Sequence, residues 1–108
     1  MIVKLGHPIV GYKKVRRGVG QRGFEVVTLV IPAGALINIP AETLKHKYRA
    51  SSAYVAAGSG RSYRNLAFIY TLGEVVRPRF GFDNYDAICA SGIHFFLSPD
   101  EAKNYNWS

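Results

Sequence analysis

Two short segments concentrate residue types that bind anions. Residues 58–65 read Gly-Ser-Gly-Arg-Ser-Tyr-Arg-Asn. Backbone N–H groups at permissive glycines can form a nest around a phosphate oxygen. Ser59 and Ser62 add hydroxyls, and Arg61 and Arg64 add guanidinium forks that pair bidentately with the same group. Tyr63 offers a ring on which a base could stack. The segment lacks the Lys-Ser/Thr end of a P-loop, so it is not a Walker motif. Residues 16–23 read Arg-Arg-Gly-Val-Gly-Gln-Arg-Gly. They place Arg16, Arg17 and Arg22 around three glycines, a tip suited to entering a nucleic-acid groove or closing over a ligand. The plainer reading of both segments is a solvated turn kept soluble by its arginines.

Other candidate chemistry is thinner. Cys89 and His94 lie five positions apart, and a thiolate beside a histidine can act as a nucleophile. Against this, a free cysteine is usually a small buried residue, and no third group is in place to orient the pair. Glu74, Asp83 and Asp86 could serve as acids and bases, but Pro78, Gly81 and Asn84 around them read as a polar loop. No catalytic residue, metal ligand set or cofactor is therefore assigned. A single cysteine excludes an intrachain disulfide, and three scattered histidines argue against a structural zinc site.

The formal net charge is +7, unevenly spread. Residues 1–73 hold eleven of the fourteen basic residues but only Glu25 and Glu42 among the acids. Such a field favours anionic partners and raises their encounter rate, without distinguishing nucleic acid from a small phosphate ligand or an acidic protein. The longest nearly apolar stretch, residues 26–37, is interrupted by Thr28, Pro32 and Gly34. It falls well short of the ~20 residues a membrane helix needs. The first residues, Met-Ile-Val-Lys-Leu-Gly-His-Pro, lack the apolar core of a signal peptide. The expected location is the cytoplasm, with no membrane partner.

The elements that must position the two loops read as strands. With 108 residues the chain is expected to form one domain, 1–108. Residues 9–15 alternate imperfectly as a first strand, and residues 24–31, Phe-Glu-Val-Val-Thr-Leu-Val-Ile, are the strongest strand of the chain. The two are expected to form a hairpin with the basic loop at its tip. Further strands are expected at 47–56, 67–71, 74–77 and 93–97, with a short extension at 36–39 and one helical turn at 41–45. Residues 78–85 read as an aromatic-rich loop. Ser98-Pro-Asp-Glu places Ser at an N-cap, Pro at the first helical position and Glu three residues after the cap. This predicts a short helix over 99–105, with Ala102 and Tyr105 facing the sheet. The fold class is α+β, mostly β: a twisted antiparallel or mixed sheet with one short C-terminal helix.

Several blocks resemble a known family. Residues 89–105, Cys-Ala-Ser-Gly-Ile-His-Phe-Phe-Leu-Ser-Pro-Asp-Glu-Ala-Lys-Asn-Tyr, are similar to an uncharacterised domain of phage and giant-virus proteins that sometimes lies beside pentapeptide repeats. Residues 27–33, 48–55 and 70–78 are similar to its other blocks, so the resemblance covers most of the chain. It implies a compact domain of viral or phage origin and carries no activity with it. No pentapeptide repeat is present here. The last segment also resembles the strand–Ser/Thr–helix pattern of ADP-ribosyltransferases, but the late catalytic glutamate and the order of blocks are missing.

Three functional expectations follow. The first is a small basic non-catalytic domain that binds a phosphate-bearing small molecule such as a nucleotide. In its most concrete form it is a homo-oligomeric sponge that sequesters a nucleotide signal of bacterial defence in the host cytoplasm. The second is a nucleic-acid-binding module using the same charges over an extended face. The third is an ADP-ribosyltransferase-like or Cys-dependent enzyme.

Overall fold

The computed structural model describes residues 1–18, 21–40, 47–63, 68–78, 82 and 92–105. Ten strands and one helix run through them: β1 (Ile2–Lys4), β2 (Ile9–Arg16), β3 (Phe24–Ile31), β4 (Leu36–Asn38), β5 (Tyr48–Ala50), β6 (Ala53–Ala57), β7 (Gly60–Arg61), β8 (Ile69–Tyr70), β9 (Val75–Val76), β10 (Ile93–Phe95) and α1 (Pro99–Lys103). The strands form two sheets rather than the single sheet expected. One has four strands in the order β1-β4-β5-β10, the other six in the order β8-β7-β2-β3-β6-β9. Every described strand pair is antiparallel.

The hairpin of β2 and β3 forms as its sequence predicts, in continuous register from Ile9 opposite Ile31 to Arg16 opposite Phe24. Its inward row joins Val15, Val27, Leu29 and Ile31, all fully buried, to Ala53 and Val55 of β6. The four-stranded sheet supplies Ile37, Ala50, Ile93 and Phe95 to the same core. One core thus fills the space between the two sheets, as in packings where strands change sheet at a bend.

That bend lies in residues 47–56, which read as one strand and fold as two. β5 pairs with β4 and β10, whereas β6 pairs with β3 and β9. The Ser51 N–H donates to Leu36 O at 2.9 Å, and Ser51 Oγ accepts from the Leu36 N–H at 2.9 Å. These bonds satisfy backbone groups that the turn takes out of the ladders. β1 was not expected at all; it is a short edge strand on β4, with Ile2 opposite Asn38. The segment expected as a helical turn, 41–45, lies outside the described residues.

The sheets meet at β2. Phe96 exchanges two backbone hydrogen bonds with Tyr12, each 2.8 Å, which brings the end of β10 against the first half of β2. Beside it Phe95 lies on the backbone of Gly11, where a Cβ would stand 2.4 Å from Phe95 Cδ2. Lys13 is on the inward row and buried; its ammonium donates to His94 O at 3.2 Å, with the Tyr70 ring 5.8 Å away. Burial pushes the Tyr70 phenol well above its ordinary value, so it stays neutral.

Helix α1 is shorter than predicted, ending at Lys103 with Asn104 as its C-cap. Its start is as read from the sequence. Ser98 Oγ accepts from the Glu101 N–H at 3.1 Å and donates to Glu101 Oε1 at 3.3 Å. Ala102 is fully buried, and the Tyr105 ring packs on Phe96 with centroids 5.2 Å apart. Among the described residues no helix is long and apolar enough to cross a membrane.

Replacing Ser98 by Ala is expected to cost about 1 kcal/mol, the usual value of a lost N-cap. Denaturant unfolding measures it; an unchanged midpoint would show that the cap contributes nothing to holding α1 in place.

Candidate functional site

The two glycine–arginine segments come together at one end of the six-stranded sheet, through Arg16 and Arg61, more than forty positions apart in sequence. Arg16 is the last residue of β2. On one side it pairs with Phe24 of β3, on the other with Arg61 of β7. Residues directly opposite in a ladder point to the same face, with Cβ atoms about 5 Å apart. The row Arg61–Arg16–Phe24 therefore crosses three strands on the outer face. Lys14, two residues before Arg16, shares that face.

Glycine makes this meeting possible. A Cβ on Gly60 would lie 2.4 Å from Arg16 O and 2.5 Å from Val15 Cγ2. Only a residue without a side chain lets β7 come this close to β2. The segment read as a loop is thus partly a strand. Ser62 follows it, buried, with its N–H donating to Phe68 O at 3.0 Å, whereas Ser59 before it is exposed.

Aromatic rings and cations interleave on the face. The Arg16 guanidinium lies 5.2 Å from the centroid of Tyr63. The Lys14 ammonium lies 4.4 Å from the centroid of Phe24 and 6.0 Å from that of Tyr63. Lys14 also donates to Tyr105 O at 3.3 Å, beyond the end of α1. Arg17 is tied to the hairpin through its Nε, which donates to Phe24 O at 3.2 Å. Arg22 is exposed in the hairpin tip.

No ion pair holds Arg16, Arg17 or Arg61 among the described residues. Glu25, the acid nearest in sequence to the row, faces the other way. It is opposite Val15, and its Oε1 lies 3.2 Å from where a Gly58 Cβ would be. Like charges directly opposite in a sheet are destabilising, by about 0.2–1 kcal/mol on the scale of cross-strand pairs. The arrangement can do one thing chemically: present several hydrogen-bond donors and positive charges to an anion.

Arg16, Arg17, Arg61 and Tyr63 of the sequence-predicted set are thus brought to one end of the sheet. Ser62 is buried behind them, while Ser59 and Arg22 are exposed on either side of the meeting point. Arg64 and Cys89 lie outside the described residues, as do Asp83 and Asp86. Lys14 and Phe24 were missed. The alternation of Tyr12, Lys14 and Arg16 along β2 is the signal that would have found Lys14.

A second polar group was also missed. Asn38, Arg49 and His94 stand in register across β4, β5 and β10, on the face of the four-stranded sheet turned away from the core. Asn38 and Arg49 are buried and His94 half-buried. The Arg49 guanidinium lies 5.0 Å from the centroid of the Phe82 ring. Lys47, on the same face of the chain as Arg49, is buried and donates to Tyr105 Oη at 3.1 Å. Among the described residues no group of three or more His, Cys, Asp or Glu could hold a metal ion.

The model of a family of unknown function, DUF5758, matches residues 1–102, and the chain belongs to that family. No curated protein and no solved structure matches the chain.

Gly60→Ala is expected to push β7 off β2, with a loss of roughly 1–3 kcal/mol, the range for overpacking a close-packed contact. Unfolding in denaturant measures it. An unchanged midpoint would mean that β7 does not lie against Val15 and Arg16.

Proposed function

We propose that this member of the family is a small non-catalytic domain that binds a phosphate-bearing ligand at the Arg16–Arg61 end of the six-stranded sheet. One observation carries the reading. Two arginines stand directly opposite each other in a ladder, with no described carboxylate between them. An anion between two guanidiniums turns their repulsion into attraction, and Arg matches phosphate oxygens bidentately. Lys14 and Arg17 adjoin the pair and add to the same field.

The ligand we propose is a nucleotide. Sequestering a nucleotide signal of bacterial defence, as a sponge, needs binding and release but no chemistry. It accords with the resemblance to phage and giant-virus domains, and with action in the host cytoplasm as a homo-oligomer. The described cations of the two segments converge on one end of the sheet, which supports a small ligand over an extended nucleic acid.

Calorimetry with ATP as the probe, at low and at physiological salt, tests the reading. ATP is expected to bind and to remain bound at physiological salt, because a small ligand releases few counterions. Arg16→Gln or Arg61→Gln is expected to weaken it roughly 10- to 100-fold, the worth of a hydrogen bond to a charged group. Failure of any nucleotide to bind, with duplex DNA held through physiological salt, would replace this reading by a nucleic-acid module. Its log–log salt slope would then be near −0.9 per phosphate neutralised.

A further inference from the structure

We infer that the site grips adjacent phosphates and ignores the base, so that its ligand class is oligophosphate anions in general; this rests on the phosphate-binding reading above. The inference comes from what the two rings are already doing. An aromatic face carries negative potential and attracts a cation placed over it. Tyr63 has the Arg16 guanidinium at 5.2 Å and the Lys14 ammonium at 6.0 Å; Phe24 has the same ammonium at 4.4 Å. A base stacking on those faces would have to displace the cations that bind its phosphates. Both rings are half-buried, which limits the ring surface left for a base.

The donors on this face point the same way. Arg and Lys only donate hydrogen bonds, and Phe does neither. Adenine and cytosine carry amino donors on their edges, which only an acceptor can meet, whereas guanine O6 and N7 can be read by donors alone. Arg61, Arg16, Lys14 and Phe24 offer no acceptor, and of the described side chains named on this face only the Tyr63 hydroxyl can accept. Such a set matches the oxygens of a phosphate chain, and the arginines that could read a guanine edge are the ones its phosphates would occupy.

The spacing fits a compact anion. Arg16 and Arg61 are separated by one strand spacing of about 5 Å. Lys14 lies two residues along the same strand, about 7 Å away. Three cations within that span suit consecutive phosphates better than a long backbone. The rings thus act as positioning residues. They hold two long, flexible side chains side by side before the ligand arrives, which lowers the ordering cost on binding.

The test is calorimetry of the whole protein at physiological salt with sodium tripolyphosphate, ATP, GTP, CTP and adenosine. The four triphosphates are expected to bind within about fivefold of one another, a span of about 1 kcal/mol, and adenosine not at all. Tyr63→Phe keeps a ring face and should bind all four as the wild type does. Tyr63→Leu should weaken all four alike, by about two- to fivefold, the worth of an exposed cation–π contact. A nucleotide bound more than tenfold tighter than tripolyphosphate would overturn the inference. So would a Tyr63→Leu loss seen with ATP but not with tripolyphosphate. Either result would leave the phosphate-binding reading standing. Absence of all binding to the wild type would remove that reading and this inference together.

Discussion

How closely the rest of the chain approaches β2 is set by two glycines. At Gly11 the Phe95 ring lies on the strand backbone, and at Gly60 a second strand comes within contact of Val15 and Arg16. The first contact seats the four-stranded sheet against the six-stranded one and closes the core between them. The second brings one arginine-bearing segment to the other. Neither approach leaves room for a Cβ, so both the core and the candidate site depend on the absence of a side chain at these two positions. The bridge between Tyr12 and Phe96 ties the end of β10 to β2 next to the first of them.

Much of this was legible in the sequence, and the reasons differ by element. The β2–β3 hairpin was readable because β-branched residues alternate between turn residues. The start of α1 was readable because Ser98, Pro99 and Glu101 each have a specific place at a helix N-terminus. The split of residues 47–56 was not. Its alternation continues through Ser51 and Ser52, and what bends the chain there is a pair of hydrogen bonds to Leu36. β1 was invisible because three residues carry too little pattern, and its partner β4 is more than thirty positions away.

The site was half legible. Composition singled out both glycine–arginine segments, but their meeting depends on a long-range pairing through Gly60 that no local pattern encodes. The polar row of Asn38, Arg49 and His94 was hidden for the opposite reason. Lys47 and Arg49 alternate with Tyr48 and Ala50, which reads as a strand with its charged side in water. Here that side is covered as well, so Arg49 is 1% exposed. The C-terminal segment links the two regions. Tyr105 accepts from Lys47 through its hydroxyl and from Lys14 through its backbone carbonyl, so the buried polar face and the candidate site share one anchor.

The central claim is that two arginines are held face to face at a cost that an anion relieves. The stability of the ligand-free protein tests it most directly. Arg61→Gln removes one charge of the pair without touching the core. Denaturant unfolding in phosphate-free buffer is expected to show the variant as stable as the wild type or more so, by up to about 1 kcal/mol, the upper end for a cross-strand pair. A loss of about 1 kcal/mol or more would mean that Arg61 serves the fold, and would contradict the claim that the pair is kept for a ligand.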